Sequence, residues 1–126
     1  PELYKLVSLE VASKTGEVPH AHLVLSIDGV EVATDDQGSG PVDATFKAIE
    51  QVAKSGATLQ LYSVNAITQG TDSQGEVTVR LERGGRIVNG NGADTDIVIA
   101  SAKAYLNALN LMHVGTDRAH PQVDGV

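Results

Sequence analysis

Residues 23–43 read LVLSIDGVEVATDDQGSGPVD, and the fold turns on this stretch. Leu23–Ile27 and Val30–Val32 flank Asp28-Gly29, a pair favoured in the two-residue turn of a β-hairpin. Gly38-Ser39-Gly40 then ends the extended run, and Pro41 suits the first position of a helix, where its missing N–H costs nothing. Val42, Phe46, Ile49 and Val52 recur at helical spacing, with Lys47, Glu50, Gln51 and Lys54 outside that stripe. The order is strand, turn, strand, helix. Residues 77–97, VTVRLERGGRIVNGNGADTDI, repeat it. Val77–Leu81 and Arg86–Val88 flank Gly84-Gly85. Gly90-Asn91-Gly92, an offset of 52 (Gly38 to Gly90), is expected to open a second helix from about Thr95 to Asn110, with Asp94 or Thr95 as N-cap.

Upstream of each hairpin lies one more alternating strand, Val7–Val11 in the first half and Tyr62–Ala66 in the second, each with one buried and one wetter face. The loops that follow, Thr15-Gly16-Glu17 and Gly70 to Gly75, are polar. The chain therefore reads as an α+β fold of two pseudo-symmetric βββα units, antiparallel sheet with two helices. One domain is expected over 1–126: repeat 1 at about 4–56, repeat 2 at about 57–110, and a flexible tail at 111–126. The second helix is apolar most of the way round, so more than one of its sides must be covered. Small residues at Ala100, Ser101, Ala104 and Ala108 allow another element to come close.

Composition narrows the function. A net charge of −7 with scattered basic residues and one Phe, three Tyr and no Trp disfavours nucleic-acid binding. No apolar run long enough for a membrane span is expected, and no signal peptide opens the chain. Without cysteine there is no disulfide, thiolate zinc site or cysteine nucleophile, which fits a reducing, cytoplasmic setting. Pro1 at the start, in place of methionine, suggests a piece of a longer polypeptide.

No spacing marks a catalytic triad or a carboxylate pair, and neither glycine motif is a nucleotide loop, so this chain is expected to carry no active site and no cofactor. The two helix starts are the candidate sites: unpaired N–H groups and the positive end of the helix dipole suit a carboxylate or phosphate. Asp43, Asp94 and Asp96 either cap those helices or receive a ligand ammonium. A free amino acid carries both complementary groups. His20 and His22 share a strand face and could pair on a metal, but no third ligand is evident; they read as solvent-side residues. His113 and His120 are no better placed.

Three segments resemble the C-terminal regulatory domain of 2-isopropylmalate synthases: Tyr4–Ala12 (YKLVSLEVA), Gly38–Ala44 (GSGPVDA) with Lys47-Ala48-Ile49, and residues 90–110 (GNGADTDIVIASAKAYLNALN). Together they cover about residues 4–110. The resemblance implies two βββα units that pair with a second copy and bind leucine between the units. It implies a parent enzyme that condenses acetyl-CoA with 2-oxoisovalerate in a separate, divalent-metal-dependent TIM barrel, which the effector inhibits from a distance. Carried over by position, Gly38, Gly40, Pro41, Val42 and Asp43 receive the effector backbone. Leu59, Tyr62 and Ala66 line its side chain, and Asp94, Thr95 and Ile97 at the second helix start close the pocket. The rival readings are an isoleucine-sensing domain of a citramalate synthase, a purely structural dimerisation module, and a small metalloenzyme using His20 and His22.

Overall fold

The computed structural model describes residues 2–67 and 73–124; side chains are described up to 114, without 66 and 67. Its elements are β1 (Tyr4–Ala12), β2 (His20–Ile27), β3 (Val30–Gln37), α1 (Pro41–Ala53), β4 (Thr58–Ile67), β5 (Gly75–Arg83), β6 (Arg86–Asp94) and α2 (Ile97–Asp124). They form two antiparallel sheets of three strands, ordered β1-β2-β3 and β4-β5-β6. This is the expected α+β arrangement of two βββα units. Much of the predicted loop from Gly70 to Gly75 lies outside the described residues.

Both hairpins close as their turn residues demand. Asp28 and Gly29 have φ of 51° and 83°, Gly84 and Gly85 of 59° and 83°. Positive φ at both central positions gives a turn whose twist matches that of the flanking strands. Both outer strands break register at an equivalent point, between Leu6 and Ser8 in β1 and between Leu59 and Leu61 in β4, and β4 breaks again between Val64 and Ala66.

These equivalences correct the internal alignment. The hairpins and helix starts repeat at an offset of 56 (Pro41 to Ile97), and the first strands at 53 (Leu6 to Leu59). Val7–Val11 therefore matches Gln60–Val64, not Tyr62–Ala66. Gly90-Asn91-Gly92 is not the counterpart of Gly38-Ser39-Gly40 and opens no helix; it lies inside β6. Its glycines serve packing. A Cβ on Gly90 would stand 2.2 Å from the Ala104 carbonyl oxygen, and one on Gly92 2.4 Å from that of Ala100. Only bare backbone lets α2, with its own small residues Ala100, Ala104 and Ala108, lie directly on the strand.

One face of each sheet packs against a helix. Ala21, Leu23 and Leu25 of β2 pack beneath α1, with Ala44, Ala48 and Ile49 above them, and Thr34 ties the layers by donating to the Ala48 carbonyl at 2.8 Å. Val77, Val79 and Leu81 of β5 do the same beneath α2. The second helix starts at Ile97 and runs to Asp124, past the expected end at Asn110, and buried Met112 extends its apolar side. Ile97–Val114 is, against the sequence expectation, long and apolar enough by composition to cross a membrane; 56% of it is buried inside the fold, as in the core helix of a globular protein.

The units meet through α1, α2, β1 and β4. Phe46 stacks obliquely on Tyr105 with ring centroids 4.6 Å apart and meets Tyr62 edge-on at 5.9 Å. The Tyr105 hydroxyl donates to Glu50 at 2.6 Å, and the same carboxylate accepts from the Ser55 backbone and hydroxyl in the segment joining the units. Burial, with the Glu50 carboxylate second, pushes the Tyr105 hydroxyl far above the ordinary tyrosine range, so it stays a donor.

Candidate functional site

The two helix starts, equivalent in the repeat, differ in how they are capped. At α1 the N-cap is Gly40, which has no side chain to offer, and Pro41 occupies the first turn. The N–H groups of Val42 and Asp43 therefore face outward without a side-chain cap. The Asp43 carboxylate curls back, accepting from the Ser39 N–H at 2.8 Å and pairing with Lys47 at 3.2 Å. The Ser39 bond first, then Lys47, holds its pKa below the usual carboxylate range. Gly38 sits under this turn, where a Cβ would lie 2.4 Å from the Ala44 nitrogen. Asp43 thus shapes the loop, and its oxygen is already engaged.

At α2 the start is closed. Asp96 caps it, accepting from Val98 at 2.8 Å and Ile99 at 3.4 Å, so the cap is neither Asp94 nor Thr95 as the sequence suggests. Asp94 instead accepts from the Asp96 N–H at 3.0 Å and pairs with Lys103 at 2.9 Å. The Asp96 bond leads in lowering its pKa. Thr95 is exposed, its hydroxyl 3.4 Å from Asp94. A carboxylate of the protein already fills the place an anionic ligand would take, which leaves α1 as the open helix start.

Between them runs β4. Leu59, Tyr62 and Val64 pair with Leu81, Val79 and Val77, all fully buried on the helix side of the sheet, so they share that face. Yet they are 43%, 36% and 47% exposed, an apolar wall that the helices leave partly uncovered. Tyr62 is held from two directions, edge-on by Phe46 of α1 and through its hydroxyl, 2.9 Å from Ser101 of α2. Ile97 packs down at the far end, where its Cδ1 would meet a Cβ on Gly75 at 2.4 Å. Ala66 pairs with Glu76 in the backbone; its side chain lies outside the described residues.

Tyr62 is thus brought to both helices. Gly38 to Asp43 form the open helix start, Leu59 is on the wall and Ile97 is at its end, while Asp94 is engaged by the Asp96 N–H and Lys103, with Thr95 beside it. Phe46 and Ser101 were missed by sequence reading. The single phenylalanine of the chain was absorbed into a helix stripe, and Ser101 into a run of small residues. A half-open groove of about 510 Å³ lies elsewhere, beside β1 and α2, lined by Tyr4, Leu6, Gly92, Leu106 and Asn107 among others. His20 and His22 stand on the outer face of the first sheet and share Asp35, at 3.3 and 2.7 Å. Among the described residues, no group of three or more His, Asp or Glu is arranged to hold a metal ion.

A chain with two βββα units, one open helix start and an uncovered wall matches, over residues 1–113, the model of the LeuA allosteric (dimerisation) domain. The chain belongs to that family. Similar LeuA-domain sequences occur in the 2-isopropylmalate synthases of Nitrosospira multiformis, 68% identical over 97% of this chain, and Thiobacillus denitrificans, 66% identical over 97%. That of Dechloromonas aromatica is 65% identical over 96%. The chain spans 24% of the length of each of these relatives. In LeuA-domain terms, the resemblance read from the glycine and helix motifs is correct, although the second glycine motif acts in packing.

Proposed function

We propose that the chain is the leucine-sensing, feedback-inhibition domain of a cytoplasmic 2-isopropylmalate synthase, working as a homodimer. The observation that carries the reading is the pairing of one uncapped helix start with one uncovered apolar wall. The N–H groups of Val42 and Asp43 take the leucine carboxylate, and the wall of Leu59, Tyr62 and Val64 takes its side chain. The part of the wall left open to solvent is closed by a second copy of the chain. The parent enzyme condenses acetyl-CoA with 2-oxoisovalerate in a TIM barrel whose divalent metal is held by residues outside this chain. Inhibition requires that leucine bind one arrangement of the two units better than another, with a coupling of about 1–3 kcal/mol.

Calorimetric titration of the chain with leucine, isoleucine and valine, alongside its mass by sedimentation, tests the reading. A dimer that binds leucine and binds isoleucine more weakly supports it. The reverse preference assigns the domain to an isoleucine-regulated citramalate synthase. A dimer indifferent to all three sinks the sensor reading and leaves a dimerisation module.

A further inference from the structure

The strongest unassigned arrangement is the contact that joins Tyr62 to both helices. Ser101 is fully buried on α2, and its hydroxyl lies 2.7 Å from the carbonyl oxygen of Ile97, one turn back. A serine has one proton to give, and a carbonyl has none. Ser101 therefore donates to Ile97, and in the 2.9 Å contact between the two hydroxyls Tyr62 must be the donor. The result is a directed chain, Tyr62 to Ser101 to the Ile97 carbonyl, which turns the tyrosine hydroxyl toward the first turn of α2. Phe46 fixes the same ring from the α1 side, edge-on at 5.9 Å. With its one proton spent on α2 and its ring braced by α1, Tyr62 offers the wall mainly its apolar surface.

We propose that Ser101 and Phe46 are positioning residues that fix the Tyr62 ring, and that the ring so held selects among branched-chain effectors by the position of the branch. The inference rests on the proposed amino-acid site and deepens it. A pocket that separates one methyl placement from another by tenfold or more needs a wall that does not yield, and the ring contact with Phe46 and the hydroxyl bond to Ser101 together hold the partly exposed tyrosine against turning. Ser101 is suited to a test because its removal spares the fold: alanine is smaller, favours the helix, and leaves the Tyr62 hydroxyl free to bond with water.

Leucine, isoleucine and valine are titrated into the wild-type chain, Ser101→Ala, Tyr62→Phe and the double variant, with thermal unfolding of each without ligand. The expected result is a preference in the wild type that falls to within about twofold in Ser101→Ala, at nearly unchanged melting temperature. The double variant should match Tyr62→Phe, because Ser101 acts only through the tyrosine hydroxyl. Phe46→Leu should lose selectivity as well, with some loss of stability. Additive losses in the double variant, or a Ser101→Ala chain that weakens for all three ligands equally, would overturn the inference. A wild type that binds none of the three would overturn the sensor reading itself, a different outcome from selective wild-type binding that Ser101→Ala leaves intact.

Discussion

Strands β1 and β4 hold the same place in the two units, share a register break and present equivalent apolar faces, yet one is mostly covered and the other partly exposed. Leu6, Leu9 and Val11 of β1 are partly buried against the core, and both helices pack on that strand, α2 more than α1. Their counterparts Leu59, Tyr62 and Val64 on β4 stay exposed. The helices differ in length as well. α1 ends at Ala53, and Lys54 turns into the left-handed region at φ 46°. The matching position on α2, Asn110, remains helical, and its amide donates to the Tyr4 carbonyl at 2.9 Å and accepts from the Tyr4 N–H at 2.8 Å. One helix clamps the opposite unit's outer strand, and the other stops short. A repeat that closed both sides equally would have no open wall.

The largest expected effect breaks the covered side. Gly90→Ala forces a methyl into the backbone of α2, and a loss of about 3 kcal/mol is expected from chemical denaturation. Hydrogen exchange should quicken in β1 more than in β4, since α2 packs more extensively on the former. Gly40→Ala, with open space around its Cβ, is the control and should leave stability within about 0.5 kcal/mol.

Next in size is the clamp. Asn110→Ala leaves both backbone groups of Tyr4 without their partner, at a cost of about 2 kcal/mol. The amide of Tyr4 should exchange faster while those of β4 do not change. Equal loosening of both strands would refute the idea that α2 accounts for the asymmetry.

A smaller change sharpens the contrast between helix starts. Asp96→Ala uncaps α2 and should cost about 1 kcal/mol in thermal unfolding. If the variant also gains affinity for small carboxylates, the cap was what kept α2 from acting as α1 does.

The smallest effect is the acid limb. Asp43 and Asp94 both have depressed pKa values in the folded chain, chiefly from the backbone N–H groups of Ser39 and Asp96. Each therefore contributes stability that is complete above about pH 4 and is lost as pH falls through the lowered value. Asp43→Asn and Asp94→Asn should each flatten the fall in melting temperature below about pH 4 and change little at neutral pH.

Much of the architecture was legible because its signals are local. Asp28-Gly29 and Gly84-Gly85 demand a backbone that few other pairs adopt, period-2 alternation marks the strands, and Pro41 marks a helix start. The family was legible from long motifs. Harder to read was what each glycine does. Gly38 lies beneath a helix turn and Gly90 beneath a helix packed across it, and Gly-x-Gly looks the same in both settings. The true counterpart of Gly38-Ser39-Gly40 is Asp94-Thr95-Asp96, where side chains do the capping, so the sequences diverge at the point where the backbones correspond.

The sequence by itself therefore determined the two βββα units, their turns and the family, because these rest on φ preferences and on periodicities a few residues long. Only the tertiary structure decided which helix start stays open, which strand stays uncovered, and that Phe46 and Ser101 converge on Tyr62. Those outcomes depend on how closely α2 approaches β6 and on what meets Tyr62 across the two units, contacts between residues far apart in the chain that no local pattern records.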